Sequence, residues 1–385
     1  MQNFRGTFVN KNRDAWVEIN LANLEHNVKN INKFLKDNCP NKDIPPELFA
    51  VIKADGYGHG SLMCSPVLVA CGVSYFGVAS IDEGIELREN KIDEPILVLG
   101  ASPLWAFENA INYDISLSIF NDEHLLMASQ LYERLNKKLK AHIKIDTGMN
   151  RIGINPDNAY EFVKKVLNSK AIQLEGIFTH FADVENKEIF DRQLKNFQNV
   201  IEPFKNEFKK RGVKIHCLNS PGIFSYTKYC YDMVRMGIIT WGLTPYTNQK
   251  MPIELKPVMG LKARITNLHT LKKGDGISYG HTFIAPNDMK IATIPIGYAD
   301  GVDRRLSGKI KASLNNKSIS QIGRITMDQM MFDVSGIDCK EGDIIILLGE
   351  ENKIDTIDTW AKKLDTINYE LTCRLKMRLS RIYVR

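Results

Sequence analysis

A lysine followed at once by a glycine-rich turn is the feature of this sequence that most directly suggests chemistry. The apolar run 49–52 is typical of a fully buried strand, and it ends on Lys53. Three glycines then follow at alternate positions: Gly56, Gly58 and Gly60. In a parallel α/β fold, ligands bind at the end of a strand and in the loop after it. Lys53 is therefore either a surface lysine or ion-pair partner, or a desolvated amine that forms a Schiff base with a carbonyl cofactor. The glycines favour the second interpretation, because bare backbone lets a phosphate come close.

A second lysine lies inside a predicted strand. Alternation puts His142, Lys144 and Asp146 on one face of that strand and the isoleucines between them on the other. In a barrel, one face of each strand is closed interior, where a charged lysine is costly to keep. The ordinary interpretation of Lys144 is an ion pair with a nearby carboxylate.

Single polar residues in other predicted strands also have ordinary interpretations. A lone histidine such as His180 is most often structural, and a strand-end arginine such as Arg235 is usually a salt-bridge partner. Ser220 either donates its hydroxyl to a phosphate or serves as a helix N-cap. Tyr279 and Tyr298 stand in strand-like motifs, where tyrosines normally fill the core or the surface. Taken singly, none of these residues identifies a function.

The elements that must position these residues alternate between strand and helix over the first two thirds of the chain. After a first short strand at 16–21, strand signals occur at 48–53, 74–79, 96–99, 115–119, 141–146, 174–179, 213–218 and 233–236. Helix signals occur at 24–35, 82–89, 123–135, 158–167 and 190–210. This repeat predicts an α/β fold with a (β/α)8 TIM-type barrel over residues 15–250, and an open doubly wound sheet is the alternative.

The pattern changes after about Gly242. Strand signals then come close together, at 262–270, 291–296, 309–314, 330–334 and 344–348, and only 356–364 looks helical. We expect a second, mostly β domain built from residues 1–14 and 251–385. Basic and apolar residues alternate over 374–385, which is typical of a strand with one solvated face, and a nucleic-acid surface there has no other support.

Composition limits the class of protein. The 385 residues carry a formal net charge of +6, and 44% are hydrophobic and 25% charged, as in soluble globular proteins. The seven cysteines form no C-x-x-C pair, so we expect no structural zinc, no disulfide framework and a reducing compartment. The N-terminus has no apolar signal region, and no apolar run reaches membrane-spanning length. These features predict a cytoplasmic protein that binds neither membrane, nucleic acid nor metal.

The motif K-A-D-G-Y-G-H-G at 53–60 resembles the cofactor-lysine motif of the alanine racemases, and matching motifs recur to the end of the chain. The resemblance implies an enzyme of fold type III that binds pyridoxal 5′-phosphate, with Lys53 as the residue that carries the cofactor. It also implies that the N-terminal strand near Trp16 packs with the β domain.

The resemblance assigns cofactor-binding roles to residues spread over the whole chain. The matching positions are Lys53, Tyr57, His180, Ser220, Arg235, Gly237, Ile238 and Tyr369. Ser220 and Tyr369 match phosphate contacts, and the amides of the Gly237–Ile238 pair resemble the phosphate cup. Arg235 matches an arginine that faces the pyridine nitrogen. Because an arginine cannot accept a proton, that nitrogen stays unprotonated and the ring becomes a weaker electron sink.

Further positions match the substrate side of the family's site. Arg151 matches an arginine whose planar fork touches the substrate carboxylate, and Lys144 matches a lysine that is carbamylated in many members and holds that arginine. Met327, through its backbone amide, and Tyr298 match substrate-binding positions. Tyr279 matches the second catalytic base, opposite the cofactor lysine. Since Tyr279 and Met327 enter the partner's site in the family, we expect a homodimer with sites shared between subunits.

The function implied is interconversion of L-alanine and D-alanine, which supplies D-alanine for peptidoglycan. Tyr369 and Tyr298 would crowd the substrate side chain, so alanine is expected first and serine more slowly. Serine racemases of the same broad family carry an asparagine at the position of Tyr369. The alternatives are a serine or broad-specificity racemase, a carrier protein for pyridoxal phosphate and an amino-acid decarboxylase. The β domain with Tyr279 argues against a carrier, and Arg235 argues against a decarboxylase, which uses an acidic residue at the pyridine nitrogen.

Overall fold

A computed structural model describes residues 12–41, 44–246, 249–350, 354–376 and 378–385. Two large sheets organise these residues, one of eight strands and one of nine, together with a two-stranded ribbon. The first strand, β1 (Ala15–Asn20), belongs to the nine-stranded sheet. One hydrophobic core runs from the eight-stranded sheet into the nine-stranded sheet and includes Phe49 in the first and Phe332 in the second.

The eight parallel strands form a barrel. They are β2 (Glu47–Val51), β3 (Val73–Val78), β4 (Ile96–Val98), β5 (Ser116–Ile119), β6 (Leu139–Lys144), β7 (Ile172–Phe178), β8 (Lys214–His216) and β9 (Met233–Met236). Their hydrogen-bonded order is β8-β7-β6-β5-β4-β3-β2-β9. The Arg235 amide donates to the Leu218 carbonyl at 3.0 Å, which brings the two end strands together and nearly closes the sheet. The predicted (β/α)8 barrel is confirmed, and the open doubly wound alternative is wrong.

Helices and short turns connect the strands. In the first two thirds of the chain they are α1 (Leu21–Asn38), α2 (Lys53–Tyr57), α3 (Ser61–Ala70), α4 (Ile81–Glu89), α5 (Phe107–Asn112), α6 (Asp122–Leu135), α7 (Pro156–Asn168), α8 (Lys187–Ile201), α9 (Lys205–Arg211) and α10 (Ser220–Ser225). The single helix expected over 190–210 is divided into α8 and α9. Pro203 lies in the 3-10 turn Glu202–Phe204 between them, because a proline inside a helix loses a hydrogen bond and clashes with the preceding turn.

The nine-stranded sheet contains β1 and most of the strands after residue 256. These are β10 (Met259–Arg264), β11 (Asn267–Leu271), β14 (Met289–Ile294), β15 (Lys311–Leu314), β16 (Lys317–Ile322), β17 (Met330–Asp333), β18 (Ile344–Leu348) and β19 (Ser380–Val384), while β12 (Gly276–Ile277) and β13 (Phe283–Ile284) form the ribbon. β1 lies between β10, which is antiparallel to it, and β19, which is parallel. The single strand expected over 262–270 is two strands, because β10 pairs with β18 whereas β11 pairs with β14.

The C-terminal part contains a helix that the sequence patterns missed. Besides α11 (Ile357–Leu364), the chain forms α12 (Asn368–Arg374). The alternating stretch 374–385 is a strand only over β19, and Arg374 ends α12 instead. The helix packs on the turn after β2, since a methyl group added to Gly58 would lie 2.5 Å from the Thr372 carbonyl oxygen. This contact brings Tyr369 to the barrel.

Candidate active site

A cavity of about 620 Å³ lies at the C-terminal ends of the barrel strands, under α12. Ten of the residues singled out in the sequence line it: Lys53, Tyr57, Lys144, Arg151, His180, Ser220, Arg235, Gly237, Ile238 and Tyr369. These residues come from positions 53 to 369, so only the closed barrel and the helix packed on it bring them together. The C-terminal ends of the strands are where barrel enzymes place their active sites.

Lys53 follows the end of β2 by two residues rather than ending that strand. Its side chain is half-buried in the cavity. Burial lowers the pKa of the Lys53 amine, and the positive charge of Arg151 lowers it further, while Glu83 acts in the opposite direction. A larger fraction of the Lys53 amine is therefore neutral, and the neutral amine is the form that attacks a carbonyl group.

The turn after Lys53 is left-handed. The φ angles of Ala54, Asp55, Gly56 and Tyr57 lie between 53° and 63°, and that of Gly58 is 81°. Residues other than glycine are strained in this conformation, so the surrounding structure must hold the turn in place. The turn is held by its own hydrogen bonds, among them the Gly58 amide to the Ala54 carbonyl at 2.9 Å.

Glu83 supports the same turn and was missed in the sequence. Its carboxylate accepts from the Ala54 amide at 2.8 Å and from the Ala79 amide at 2.7 Å. It thereby ties the residue after Lys53 to the end of β3. The helix N-terminal pattern S-I-D-E contains Glu83 at the third helical position, where a carboxylate commonly bonds backbone amides, and this signal could have identified it.

Two hydroxyl groups converge over Gly237 at one end of the cavity. A methyl group added to Gly237 would lie 3.0 Å from the Tyr57 hydroxyl and 3.5 Å from Ser220 Oγ. Ser220 Oγ accepts from the Gly237 amide at 2.9 Å. The N-cap role considered for Ser220 belongs instead to Asn219, whose side chain accepts from the Gly222 amide. Because Gly237 has no side chain, the two hydroxyl groups stand beside bare backbone in the cavity wall, where they can donate to an anion bound in the cavity.

Arg235 lies buried on β9 beneath the cavity. Its guanidinium donates to the carbonyls of Thr179, Cys217 and His216 at 2.7, 3.0 and 3.3 Å. It also donates to His216 Nδ1 at 2.9 Å. Burial lowers the pKa of Arg235 to about 10, so the group still carries its charge at neutral pH. The salt-bridge interpretation of this arginine is wrong: carbonyls and an imidazole hold it in place.

Lys144 is buried beside Arg235. Its ammonium group donates to the Ile145 carbonyl at 2.8 Å and lies 5.4 Å from the centre of the Phe178 ring. Burial and the charge of Arg235 lower the pKa of Lys144 to about 7. The nearby Asp146 carboxylate, which would be the ion-pair partner, accepts from the amides of the turn that follows it, at 3.0 and 3.1 Å. Lys144 is therefore an amine that is partly neutral at neutral pH.

His180 and Tyr369 complete the wall of the cavity. Burial and the positive charges of Arg235 and Lys144 hold the pKa of His180 well below its usual range, so its imidazole is neutral. The Tyr369 ring lies 6.1 Å from that of Tyr57, and burial raises the pKa of both phenols. Both tyrosines are therefore hydrogen-bond donors at neutral pH.

Three predicted site residues lie away from this cavity. The Tyr279 side chain is 71% exposed, that of Met327 53% and that of Tyr298 39%. Tyr279 and Tyr298 each begin a short 3-10 turn rather than standing in a strand. The Tyr298 amide donates to the Thr326 carbonyl at 3.0 Å, which places Tyr298 close to Met327. A single chain therefore does not bring these three residues to its own Lys53.

Cys373, Glu370 and Arg374 on α12 also line the cavity and were missed. Cys373 follows Tyr369 by four residues, which puts both on one face of the helix. Arg374 donates to Glu370 at 2.6 Å. The helical spacing of these residues would have indicated a shared face, had the segment been recognised as a helix. Among the described residues, no cluster of three or more His, Cys, Asp or Glu side chains is arranged to hold a metal ion.

The fold and the cavity together define a barrel enzyme whose site brings two arginines, hydroxyl groups and a lysine amine together. Two family models cover the chain: the N-terminal domain of alanine racemase matches residues 19–245, and the C-terminal domain matches residues 258–383. The chain belongs to the alanine racemase family.

Individual relatives agree with this assignment. An alanine racemase of a Nostoc species is 39% identical over 380 residues, which cover 96% of each sequence. The solved structure of alanine racemase from Clostridium difficile 630 is 37% identical, with a TM-score of 0.87 over 96% of each chain. A histidine racemase from Leuconostoc mesenteroides is 27% identical and superposes with a TM-score of 0.87, over 97% of this chain and 99% of its own. No helix among the described residues has the length and apolar character needed to cross a membrane.

Proposed function

We propose that the protein racemises alanine with pyridoxal 5′-phosphate bound at Lys53, and that its sites are completed across a homodimer. The observation that carries the proposal is that one cavity holds Lys53, whose pKa is lowered, together with two arginines and two hydroxyl groups. Racemase activity on alanine is supported by relatives named alanine racemase, which align with nearly the full chain. The cofactor, the role of each residue and the assembly are the parts proposed here.

The chain's own residues fit the cofactor. The amine of Lys53 suits its aldehyde, and the Tyr57 and Ser220 hydroxyls, which line the cavity beside the bare backbone of Gly237, suit its phosphate. The guanidinium of Arg235 suits a ring nitrogen, because it donates hydrogen bonds and cannot accept a proton. When bound, the cofactor supplies an electron sink that makes the α-proton of the substrate acidic.

Arg235 limits the strength of that sink. Its charge and its donor groups would keep a ring nitrogen placed beside it unprotonated. Arg235 would thereby weaken electron withdrawal from the substrate and favour return of a proton over side reactions. The three carbonyls and the imidazole that bind Arg235 keep the guanidinium from turning away.

Racemisation needs one base on each face of the substrate. The Lys53 amine, free once substrate takes its place, removes or returns the proton on one face. The partner subunit's Tyr279 serves the opposite face, and the partner subunit's Met327 and Tyr298 approach the substrate. All three side chains are exposed on a single chain, so they are accessible for contact with a partner subunit.

Arg151 and Lys144 form the substrate-carboxylate end of the site. Both line the cavity, and Arg151 presents a planar fork suited to a carboxylate. With a pKa of about 7, the Lys144 amine is substantially neutral at neutral pH and can add to carbon dioxide with loss of a proton. The resulting carbamate would pair with Arg151 and remove the cost of a buried ammonium. Labelling with ¹³C-bicarbonate and detecting the carbamate carbon by NMR tests this step, with Lys144→Met as the blank.

A serine or broader-specificity racemase is the second candidate. The superposition on a histidine racemase shows that this fold also serves an amino acid with a larger side chain, so the fold alone does not set the substrate. Tyr369, which stands in the cavity wall, favours a small side chain. A comparison of kcat/KM for L-alanine, L-serine, L-histidine and L-lysine decides between the two.

The test of the main proposal uses one preparation. The protein should show the visible absorbance of lysine-bound cofactor, and borohydride should attach the cofactor permanently to Lys53. The same sample should convert L-alanine and D-alanine into each other. Cofactor attached to another residue, or bound cofactor without racemisation, would refute the proposal. We place the enzyme in the cytoplasm, where D-alanine is needed for peptidoglycan precursors.

A further inference from the structure

A line of polar side chains, all buried except the partly exposed Glu175, crosses the barrel interior from the wall of the cavity. It begins at Arg235 and continues through His216 on β8, His142 on β6 and Tyr75 on β3 to Glu175 on β7. Arg235 Nη1 lies 2.9 Å from His216 Nδ1, and His216 Nε2 lies 3.0 Å from His142 Nδ1. The Tyr75 hydroxyl lies 2.9 Å from His142 Nε2 and 2.9 Å from Glu175 Oε2. We call these five residues the barrel relay.

The two ends of the barrel relay impose the same direction on its hydrogen bonds. A guanidinium only donates, so His216 Nδ1 must accept and its proton must lie on Nε2. His216 Nε2–H then donates to His142 Nδ1, so the proton of His142 also lies on Nε2. His142 Nε2–H donates to the Tyr75 oxygen, whose own hydrogen points to Glu175. An ionised carboxylate only accepts hydrogen bonds, so Glu175 at the far end is a suitable acceptor for the Tyr75 hydroxyl.

The surroundings leave both imidazoles neutral and in one orientation. His142 and His216 have no exposed surface. Burial and the charge of Arg235 lower the pKa of His142 to about 3, and the same causes hold the pKa of His216 well below its usual range. The His216 ring stacks on Phe178 with an interplanar angle of 5°.

The His142 ring fills the space left by a glycine. A methyl group added to Gly176 would lie 2.3 Å from His142 Nδ1. No larger residue at position 176 therefore leaves the ring where it is. The position of the His142 ring is thus set by packing as well as by hydrogen bonding.

The Glu175 carboxylate accepts hydrogen bonds from other side chains besides Tyr75. Oε2 also accepts from Ser116 Oγ at 2.6 Å, while Oε1 accepts from Gln173 at 3.3 Å and lies 3.9 Å from Lys140 Nζ. Tyr75 and Ser116 thus fix the Glu175 carboxylate from inside the barrel, and Lys140 lies on its outer side. The carboxylate is the fixed acceptor toward which the line of donors points.

We propose that Tyr75 and Glu175 are positioning residues for the racemase reaction, because they fix the tautomers of His142 and His216 and thereby the orientation of the Arg235 guanidinium. The proposal rests on the proposed function, in which Arg235 faces the cofactor ring. If His216 carried its proton on Nδ1, two donors would face each other at 2.9 Å and the guanidinium would turn away. Tyr75 and Glu175 thus act on the site through this line of hydrogen bonds.

The first test does not depend on turnover. Protein labelled with ¹⁵N-histidine should show, for His142 and His216, a protonated Nε2 and an unprotonated Nδ1 by NMR. Tyr75→Phe removes one oxygen atom and leaves the buried His142 Nε2–H without an acceptor. His142 and His216 should then populate the opposite tautomers together, as the Arg235 guanidinium turns away. Tyr231→Phe, which loses a hydroxyl contact to Gln198 outside the relay, should change neither histidine. A protonated Nδ1 on either histidine of the unmodified protein would overturn the proposal.

The second test compares kinetic constants. Outer hydrogen-bond partners of active-site groups commonly change activity about 10- to 100-fold, so Tyr75→Phe should lower kcat by about 10-fold with KM for alanine nearly unchanged. Glu175→Leu, which removes the acceptor, should act in the same direction, and Glu175→Gln, which keeps an acceptor oxygen, should recover most of the activity.

Equal kcat values for Tyr75→Phe and Tyr231→Phe, with unchanged histidine tautomers, would overturn the positioning role. A failure of the proposed function is distinguishable from this result, because the unmodified protein would then fail to racemise alanine whatever its tautomers. Thermal unfolding of each variant shows whether a loss of activity comes from unfolding of the protein or from a changed orientation of the Arg235 guanidinium. A Tyr75→Phe variant that unfolds at the normal temperature yet populates the opposite tautomers supports the proposal.

Discussion

The Gly58 α-carbon and the Thr372 carbonyl oxygen lie so close that a side chain on Gly58 would meet this oxygen at 2.5 Å. This contact joins the left-handed turn after Lys53 to α12, which carries Tyr369. The turn and the helix are far apart in sequence, and each contributes residues to one cavity. Their packing is therefore a direct determinant of the site.

Gly58→Ala should destabilise the protein and weaken cofactor binding. The φ angle of 81° strains an alanine by about 1–2 kcal/mol, and overpacking against α12 adds about 1–3 kcal/mol. Gly212→Ala is the matched control, because its φ of 71° imposes similar strain and no atom lies within 4 Å of the added methyl group. Urea unfolding and cofactor titration measure both effects. Equal losses in the two variants would show that the contact with α12 is unimportant.

Lys53→Ala should abolish the visible absorbance of lysine-bound cofactor and all racemisation. Under the proposed function, Lys53 rather than Lys144 is the cavity lysine that carries the cofactor. Lys33→Ala, which removes an exposed lysine on α1, should change neither property. Absorbance spectra before and after borohydride treatment provide the measurement. A borohydride-stable adduct in Lys53→Ala would assign the cofactor to another lysine.

Tyr279→Phe should keep bound cofactor but lower kcat by roughly 10²- to 10⁴-fold, the usual effect of removing one acid–base group. If sites are shared, mixing this inactive variant with inactive Lys53→Ala under subunit exchange should restore activity. Half of the dimers formed at random would be hybrids with one intact site, so recovery should reach about a quarter of normal activity. No recovery, with exchange verified by mass spectrometry, would place Tyr279 in its own subunit's site.

Stability should depend on pH through Lys144. Its pKa in the folded chain is about 7, whereas an unperturbed lysine titrates near ~10.4, so the unfolded chain binds more protons between these values. The free energy of unfolding should then rise with pH across this window, by at most about 1.4 kcal/mol per pH unit.

Lys144→Met removes this titration, and so it should be more stable than the unmodified protein at pH 7 and below, with a gain that shrinks toward pH 10. Urea unfolding in buffer free of carbon dioxide measures the difference. A difference that does not change with pH would mean that Lys144 is not desolvated as the fold suggests.

Tyr369→Asn should raise kcat/KM for serine relative to alanine. The substitution shortens a side chain in the cavity wall and adds a hydrogen-bond partner for a hydroxymethyl group. An apolar pocket rejects one added hydroxyl only about 10²-fold, so the unmodified enzyme should retain some serine turnover. Parallel assays with both amino acids on one preparation give the ratio. An unchanged ratio would remove Tyr369 from the specificity of the site.

The sequence by itself determined the fold class and the chemistry of the strand ends. The repeat of apolar runs and helical periods predicts the barrel, because strands buried on both faces are rich in apolar residues. Residues just after those strands, such as Lys53 and Ser220, were identifiable because strand ends of a barrel share one face. The types of these residues alone did not decide between a structural and a catalytic or binding role. The resemblance of residues 53–60 to the alanine racemase motif implied the role of each.

Only the tertiary structure decided what α12 and the barrel interior contribute. Local pattern could not reveal α12, since the helix is short and is stabilised by packing against the turn at Gly58. The bond from Glu83 to the turn after Lys53, the place of Cys373 in the cavity and the barrel relay all depend on contacts between residues distant in sequence. Such contacts exist only once the chain closes into a barrel, and sequence periodicity describes neighbours along one element, not partners across the core.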